Sequence, residues 1–328
     1  MGRDESQLGE FEVIRRFFTG IGAVGSGVVL GVGDDAALLH VPAEADLAAA
    51  VDTLVAGRHF PHDSEPRSIG YRALAVNLSD MAAMGATPAW ATLALTLPGA
   101  DPEWLGRFSG GFADLANAHG VALVGGDTTS GPLTVSVQIL GHVARGTALR
   151  RSGAQAGDLL AVTGTLGDAG AGLALMTAPG RRDFSSAAAR ELIERFEYPT
   201  PRVEFGAAAR GIASAAMDLS DGLAGDLPKL ASASGLAAHV DLERLPLSQA
   251  LLAAASSQQA RDWALGAGDD YELLLAVPPA RYDALSALAV RLNLRLTRIG
   301  ELRRGTGVTW AWQGEPITPR LQGYDHFR

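Results

Sequence analysis

Two carboxylates flank a hydroxyl in Asp218-Leu219-Ser220-Asp221-Gly222, at the end of the apolar run Ala215 to Met217. The pattern returns elsewhere in the chain. Asn77-Leu78-Ser79-Asp80 repeats the Leu-Ser-Asp core, Gly33-Asp34-Asp35 and Gly268-Asp269-Asp270 share a Gly-Asp-Asp core, and Gly125-Gly126-Asp127-Thr128-Thr129 sets another aspartate after glycine. Carboxylates placed at the ends of apolar segments are oxygen donors suited to a hard cation such as Mg²⁺. Taken singly, each site is also what a turn or helix N-cap uses, because Asp and Ser satisfy the first free N–H groups of a helix. Taken together, clustered carboxylates repel by roughly 1 to 4 kcal/mol per close pair, and a divalent cation turns that repulsion into binding.

Composition limits how such a protein can handle phosphate. Lys229, preceded by Pro228, is the only lysine in 328 residues. A Walker A loop needs Gly-Lys-Ser/Thr and a protein kinase needs its strand lysine, so both solutions are excluded. Phosphate must then be met by arginine, backbone N–H groups and metal. The net charge of −9 argues against a nucleic-acid surface, which needs a basic stripe. The absence of cysteine excludes disulfides and thiolate chemistry and fits a reducing compartment. Met1 to Gln7 carries Arg3, Asp4 and Glu5 rather than the apolar core of a secretory signal, and the Ala/Leu-rich segments are interrupted well short of ~18 residues. A cytoplasmic protein without membrane or nucleic-acid partners is expected. No Gly-x-Ser-x-Gly elbow is present, which lowers a serine-hydrolase reading. His59 is either a general base, a substrate contact or a surface residue. Arg151 either clamps a phosphate or is solvated, and Trp263 and Tyr324 either stack on a flat ring or pack in a core.

The elements that must position these groups fall into an α/β (α+β) pattern of about two domains, since single cores stop growing near ~250 to 300 residues. The polar, Gly-containing stretch from Arg145 to Gly157 sets the boundary near 150, giving domains 1–150 and 151–328. In the first, an amphipathic helix is expected over 8–18. Gly20-Ile21-Gly22-Ala23-Val24-Gly25 matches G-x-G-x-x-G, but a helix precedes it and a strand follows, so it reads as a flexible loop rather than a dinucleotide fingerprint. A strand at 28–32 runs into Gly33-Asp34, and a buried strand from Leu47 runs into Asp52, which puts carboxylates at one rim of a sheet. A long helix follows Pro66 and contains Asp80. A strand covers 91–97, and a helix started by Asp101 or Pro102 leads to a short strand, 121–124, that ends in the Gly125-Gly126-Asp127 motif, with 133–140 as its hairpin-like neighbour. In the second, strand 159–162, a small-residue helix 169–176, an exposed connector of charged helical character over 179–201, helix 203–212 and strand 215–217 lead to the opening motif. Ser220 or Asp221 then sits at the head of helix 222–234. Strands at 237–240, 271–277, 295–299 and 308–312 and helices within 247–265 and 280–292 complete an α+β layer.

Six spaced motifs carry a family resemblance: Gly31 to Ala37, Asp52 to Phe60, Ala75 to Gly85, Gly125 to Thr129, Met217 to Gly222 and Gly268 to Leu273, with Gly323-Tyr324-Asp325-His326-Phe327 at the end. In this order they closely resemble the thiamine-monophosphate kinase family, of the ATP-binding superfamily typified by aminoimidazole ribonucleotide synthetase. The resemblance implies a two-domain α/β fold. Its N-terminal mixed-sheet domain would pair in a homodimer, and its C-terminal α+β domain would complete a site for ATP and several Mg²⁺ ions. It implies Asp34, Asp52, Asp80, Asp127, Asp218 and Asp221 as metal ligands. Gly126, Asp127, Arg151 and Ser220 become ATP contacts, His59, Asp269 and Tyr324 line a thiamine phosphate site, and Asp218, Asp221 and Arg151 carry catalysis. The chain departs from the family pattern at Ala50-Val51, where a hydroxyl residue usually precedes Asp52, so backbone carbonyl or water must replace that ligand. The implied reaction is the last step of thiamine diphosphate synthesis. The alternatives are a superfamily synthetase that uses ATP to activate an amide or selenide, or a non-catalytic Mg²⁺–nucleotide binding protein.

Overall fold

The computed structural model describes residues 8–22, 27–178 and 186–318. The chain divides into two compact units, Met1–Met81 with Thr87–Gly146, and Ala82–Ala86 with Thr147–Arg328. In the first, α1 (Glu10–Val13) passes into a π-helical turn at Ile14–Phe18, and β1 (Val28–Leu30) pairs antiparallel with β2 (Leu38–Leu39). β3 (Ala45–Val55), α2 (Pro66–Ala83), β4 (Thr87–Leu97), α3 (Pro102–His119), β5 (Ala122–Ser130) and β6 (Thr134–Ala144) follow. The four long strands form one sheet in the order β3-β6-β4-β5. Its β4–β5 pair is parallel and the others are antiparallel.

Local chemistry explains the helix ends. The Asp101 carboxylate accepts the Glu103 N–H at 2.9 Å, Pro102 opens α3, and Gly120 closes it in a left-handed conformation, as N-caps, N1 prolines and αL caps do. Leu74, Leu78 and Met81 of α2, Phe108 and Phe112 of α3, and Val135, Val137 and Ile139 of β6 are all buried, so both helices contribute to this unit's core.

Four expectations need correction. Asp34 and Asp52 do not end neighbouring strands of one sheet, because β1 belongs to a separate ribbon and β3 runs on past Asp52 to Val55. β3 is not a buried strand: Leu47, Ala49, Val51 and Thr53 alternate onto an exposed face, with Leu47 at 52% and Val51 at 63% exposure. β5 does not stop before the glycines but continues through Gly125-Gly126-Asp127, and β4, not β6, is its neighbour, because β6 crosses over to pair with β3 and β4. Positions 23–26 of the glycine loop lie outside the described residues.

The second unit contains β7 (Leu159–Thr163), α4 (Asp168–Thr177), α5 (Ala187–Glu197), α6 (Val203–Ala209), β8 (Ala215–Asp218), α7 (Leu223–Ala233) and β9 (Ala237–Asp241). α8 (Gln249–Ala254), α9 (Ser257–Gly266), β10 (Leu273–Val277), α10 (Tyr282–Arg291), β11 (Leu296–Arg303), β12 (Val308–Trp312) and β13 (Glu315–Ile317) complete it. Its sheet runs β13-β12-β9-β11-β7-β10-β8. β7, β8 and β10 are buried at every residue, which is why they read as continuous apolar runs rather than alternating ones. The expected exposed connector contains α5, a helix that Ser186 caps and that buries Ala189, Leu192 and Phe196. Its charges mask that apolar face at the sequence level, and residues 179–185 lie outside the described residues. No helix among the described residues is long and apolar enough to cross a membrane.

Candidate active site

The first unit holds a cavity of about 490 Å³. Phe11, Ile14 and Phe18 line it on one side, and Gly33-Asp34-Asp35 and Gly125-Gly126-Asp127 bring carboxylates and glycine backbone to it. β5 reaches it through a bulge. Leu123 is paired with Ala91 and Gly125 with Thr92, so Val124 is an extra residue, and a bulge of this kind re-aims the side chains that follow. Gly126 has φ +154°, and a Cβ there would meet the Leu93 carbonyl oxygen of β4 at 1.9 Å. Only glycine lets the strand pass at that spacing. Asp34 and Asp127 are exposed, and Oδ1 of Asp34 accepts the Asp35 N–H at 2.8 Å.

Three other sequence candidates in this unit do not line the cavity. Asp52 lies within β3 opposite Val137, half-buried, and burial pushes its carboxyl above the ordinary range. Asp80 is half-buried near the end of α2. His59 is half-buried rather than a surface residue. Its Nδ1 accepts the Val55 N–H at 3.0 Å, which places the proton of the neutral ring on Nε2.

In the second unit Asp218 is the buried last residue of β8, opposite Leu273 of β10. The Ser220-Asp221 turn that follows is held from below by Asp226 in α7. Oδ2 of Asp226 accepts the N–H groups of Ser220 and Asp221 at 3.0 and 2.9 Å. Lys229 Nζ lies 2.9 Å from Oδ1 of Asp226 and 2.5 Å from Oδ2 of Asp221. Burial raises the Asp226 carboxyl, and the Lys229 ammonium and the Asp221 N–H pull it back without cancelling the rise. The single lysine therefore braces the acidic turn.

Gly268-Asp269-Asp270-Tyr271 is stitched to the same turn. Asp269 and Tyr271 donate their N–H groups to the carbonyls of Ser220 and Leu219, both at 2.9 Å. A Cβ at Gly268 would meet the Ser220 oxygen at 2.4 Å. Asp269 and Tyr271 have φ +63° and +49°, a conformation that costs a non-glycine residue about 1 to 3 kcal/mol and persists only where surrounding contacts impose it. Those contacts are the backbone bonds to the turn together with the anchored carboxylates on either side of Tyr271. Both oxygens of Asp270 accept the Gly167 N–H, at 3.0 and 2.9 Å. Burial drives this carboxyl well above its ordinary range.

Glu272 is fully buried and meets Arg202 through two bonds, Nε to Oε2 at 2.7 Å and an Nη to Oε1 at 2.5 Å. Arg195 adds a contact at 2.9 Å and the Thr163 hydroxyl another at 2.7 Å. Burial alone pushes Glu272 up, but Arg202, Arg195 and Thr163 outweigh it and leave the carboxyl below its ordinary range. Arg151 is exposed, and its carbonyl accepts the Ser234 hydroxyl at 3.1 Å. Trp263 packs against the cluster of Ala171, Leu192 and Leu251, its core reading. Tyr324 lies outside the described residues.

Among the described residues no three carboxylate or imidazole groups converge into a preformed cation cage. The donors present are nevertheless of the kind Mg²⁺ uses, since it takes one or two carboxylates and completes its shell with water and substrate phosphate.

Residues 33–143 match the model of the AIR synthase related protein N-terminal domain and residues 155–313 that of the AIR synthase related protein C-terminal domain. The chain is 47% identical over 321 residues to a thiamine-monophosphate kinase of Salmonella typhimurium, covering 97% of this chain and 98% of that one. The chain belongs to the thiamine-monophosphate kinase family. A crystal structure of the family's Stenotrophomonas maltophilia K279a member superposes with a TM-score of 0.83 at 48% identity, over 89% of this chain and 92% of that one. AaThiL in complex with AMPPCP and TMP superposes with a TM-score of 0.77 at 31% identity, over 88% and 89% of the two chains. The two-domain architecture of the family is thus that of this chain.

No sequence motif marks Asp226, Arg195 or Arg202, and Asp270 and Glu272 fall within the Gly268 to Leu273 motif without a role of their own. Asp226 has one usable signal, an acidic residue in the first turn of the helix after Gly222, three positions before the single lysine. The two arginines have none, because their partner lies 77 and 70 residues away.

Proposed function

We propose that this chain transfers the γ-phosphoryl group of ATP directly to thiamine phosphate, forming thiamine diphosphate and ADP, the last step of thiamine diphosphate synthesis. Its 47% identity to a thiamine-monophosphate kinase over 97% of the chain carries the reading, and the relative in complex with AMPPCP and TMP supports the two ligands. The acceptor is itself a phosphate ester, already a nucleophile near neutral pH, so no strong general base is needed. A phosphate oxygen of the acceptor attacks the γ-phosphorus as the bond to the ADP oxygen breaks, and catalysis consists mainly of alignment and charge neutralisation.

In this reading the residues take the following roles. Gly126 and Asp127 beside the first unit's cavity, with Ser220 and Arg151, bind ATP. His59, Asp269 and Tyr324 bind thiamine phosphate. Asp34, Asp52, Asp80, Asp127, Asp218 and Asp221 hold several Mg²⁺ ions, whose charge neutralises the two polyanions. Asp218, Asp221 and Arg151 act on the transferred group. The single lysine, already engaged by Asp221 and Asp226, favours metal and arginine over lysine as the phosphate counter-charge. The first units pair into a homodimer in a cytoplasmic enzyme, a reading supported by the apolar exposed face of β3 around Leu47 and Val51.

A coupled assay with ATP, Mg²⁺ and thiamine phosphate tests the activity, with one ADP expected per thiamine diphosphate. Release of orthophosphate without thiamine diphosphate would overturn it, and a phosphorylated enzyme trapped with labelled ATP alone would overturn direct transfer. Light scattering that returns the monomer mass at assay concentration would remove the dimer.

A further inference from the structure

Asp270 has no part in the reading above, yet it is 2% exposed in a segment whose neighbours are displayed toward the turn that bears Ser220 and Asp221. Gly268, Asp269 and Tyr271 all have positive φ, of 73°, 63° and 49°. Two of the four positive-φ non-glycine residues described in the chain therefore flank Asp270 directly. Aspartate tolerates this region better than most residues but a bulky Tyr does not, so contacts from outside the segment hold the shape at Tyr271.

The anchors are visible. Asp270 is fastened to the Gly167 N–H at the head of α4 through both oxygens. Glu272, two residues on, is locked by Arg195, Arg202 and Thr163. Between and before these two buried carboxylates, Tyr271 is 8% exposed and Asp269 is half-buried. The Tyr271 hydroxyl then lies 3.3 Å from Oδ1 of Asp269 and orients that carboxylate. The backbone has no slack to absorb a change, because Asp269 and Tyr271 are also bonded to the Ser220 and Leu219 carbonyls and Gly268 abuts Ser220.

We propose that Asp270 is a positioning residue for the acceptor: by clamping Gly167 it holds the Asp269–Tyr271 backbone in its left-handed shape and aims the Asp269 carboxylate. The inference rests on the assignment of Asp269 to the thiamine phosphate site. Helix α4 is thereby coupled to acceptor recognition through the Gly167 N–H at its head.

The test is steady-state kinetics of the full chain with each substrate varied at saturating co-substrate, beside thermal unfolding. Asp270→Ala removes both acceptor atoms and is expected to raise KM for thiamine phosphate on the order of tenfold while KM for ATP stays within about twofold. Asp270→Asn keeps one acceptor and the volume, so about a threefold rise confined to thiamine phosphate is expected, and it carries the test if the alanine chain does not fold. A role in folding alone predicts that the active fraction falls with both KM values unchanged. That outcome, or equal rises for both substrates, overturns the inference. An unsubstituted chain that binds ATP but never phosphorylates thiamine phosphate would instead overturn the proposed function.

Discussion

In the first unit Asp34 and Asp127 stand exposed on glycine-flanked backbone around a cavity, whereas in the second Asp226, Asp270 and Glu272 are buried beneath a turn and bonded to N–H groups, lysine or arginine. Both regions are built from Gly-Asp and Ser-Asp pairs, and the difference lies in desolvation. An exposed carboxylate keeps its hydration and can exchange it for a cation at small structural cost. A buried one has lost water and must be compensated, by fixed partners at Asp226, Asp270 and Glu272, or by a cation in the role proposed for the buried Asp218. The second unit sets a half-buried carboxylate, Asp269, directly before the buried Asp270 and Glu272.

The sharpest way to break this contrast is to remove a buried carboxylate. Glu272→Ala leaves Arg195 and Arg202 without their charge partner, and a loss of about 3 to 5 kcal/mol in urea unfolding is expected, whereas Asp127→Asn in the first unit should stay within about 0.5 kcal/mol. Equal losses would erase the distinction. Asp218→Asn should lower kcat on the order of 100-fold, with a melting temperature moved by only a few degrees. Unchanged turnover at saturating Mg²⁺ would remove Asp218 from the ligand set. Gly126→Ala should destabilise the first unit by about 2 kcal/mol, because the new Cβ meets β4 backbone at a positive φ; wild-type stability would show that β4 and β5 can separate there.

The smallest effect is in pH dependence, and its sign differs between two buried neighbours. Glu272, held below its ordinary range, contributes stability that is full above that range and is lost as pH falls through its depressed value. Asp270, held above it, contributes stability that is full below the ordinary range and is lost as pH rises through its raised value. Unfolding followed against pH should therefore show Asp270→Asn gaining on the parent chain as pH rises, and Glu272→Gln gaining on it as pH falls. A parallel pair of curves would contradict either assignment.

Much of this was legible in the sequence because it is written locally. The α3 boundaries follow from Asp101, Pro102 and Gly120, and the apolar runs of β7, β8 and β10 announce buried strands. What failed did so where the signal was not local. β5 continues past its glycines because a bulge at Val124 and pairing with β4 sustain it, and nothing in Gly-Gly-Asp says which strand lies alongside. α5 looked exposed because its charged residues outnumber the three side chains that it buries.

By itself the sequence determined the chemistry available to this protein: oxygen donors in repeated acidic turns, one lysine, no thiol, and a motif order that marks the family. Tertiary structure alone decided which carboxylates stay exposed and which are buried against fixed partners. That choice depends on desolvation and on partners tens of residues away, as when Arg195 and Arg202 meet Glu272. No spacing within Gly268-Asp269-Asp270-Tyr271-Glu272 encodes it.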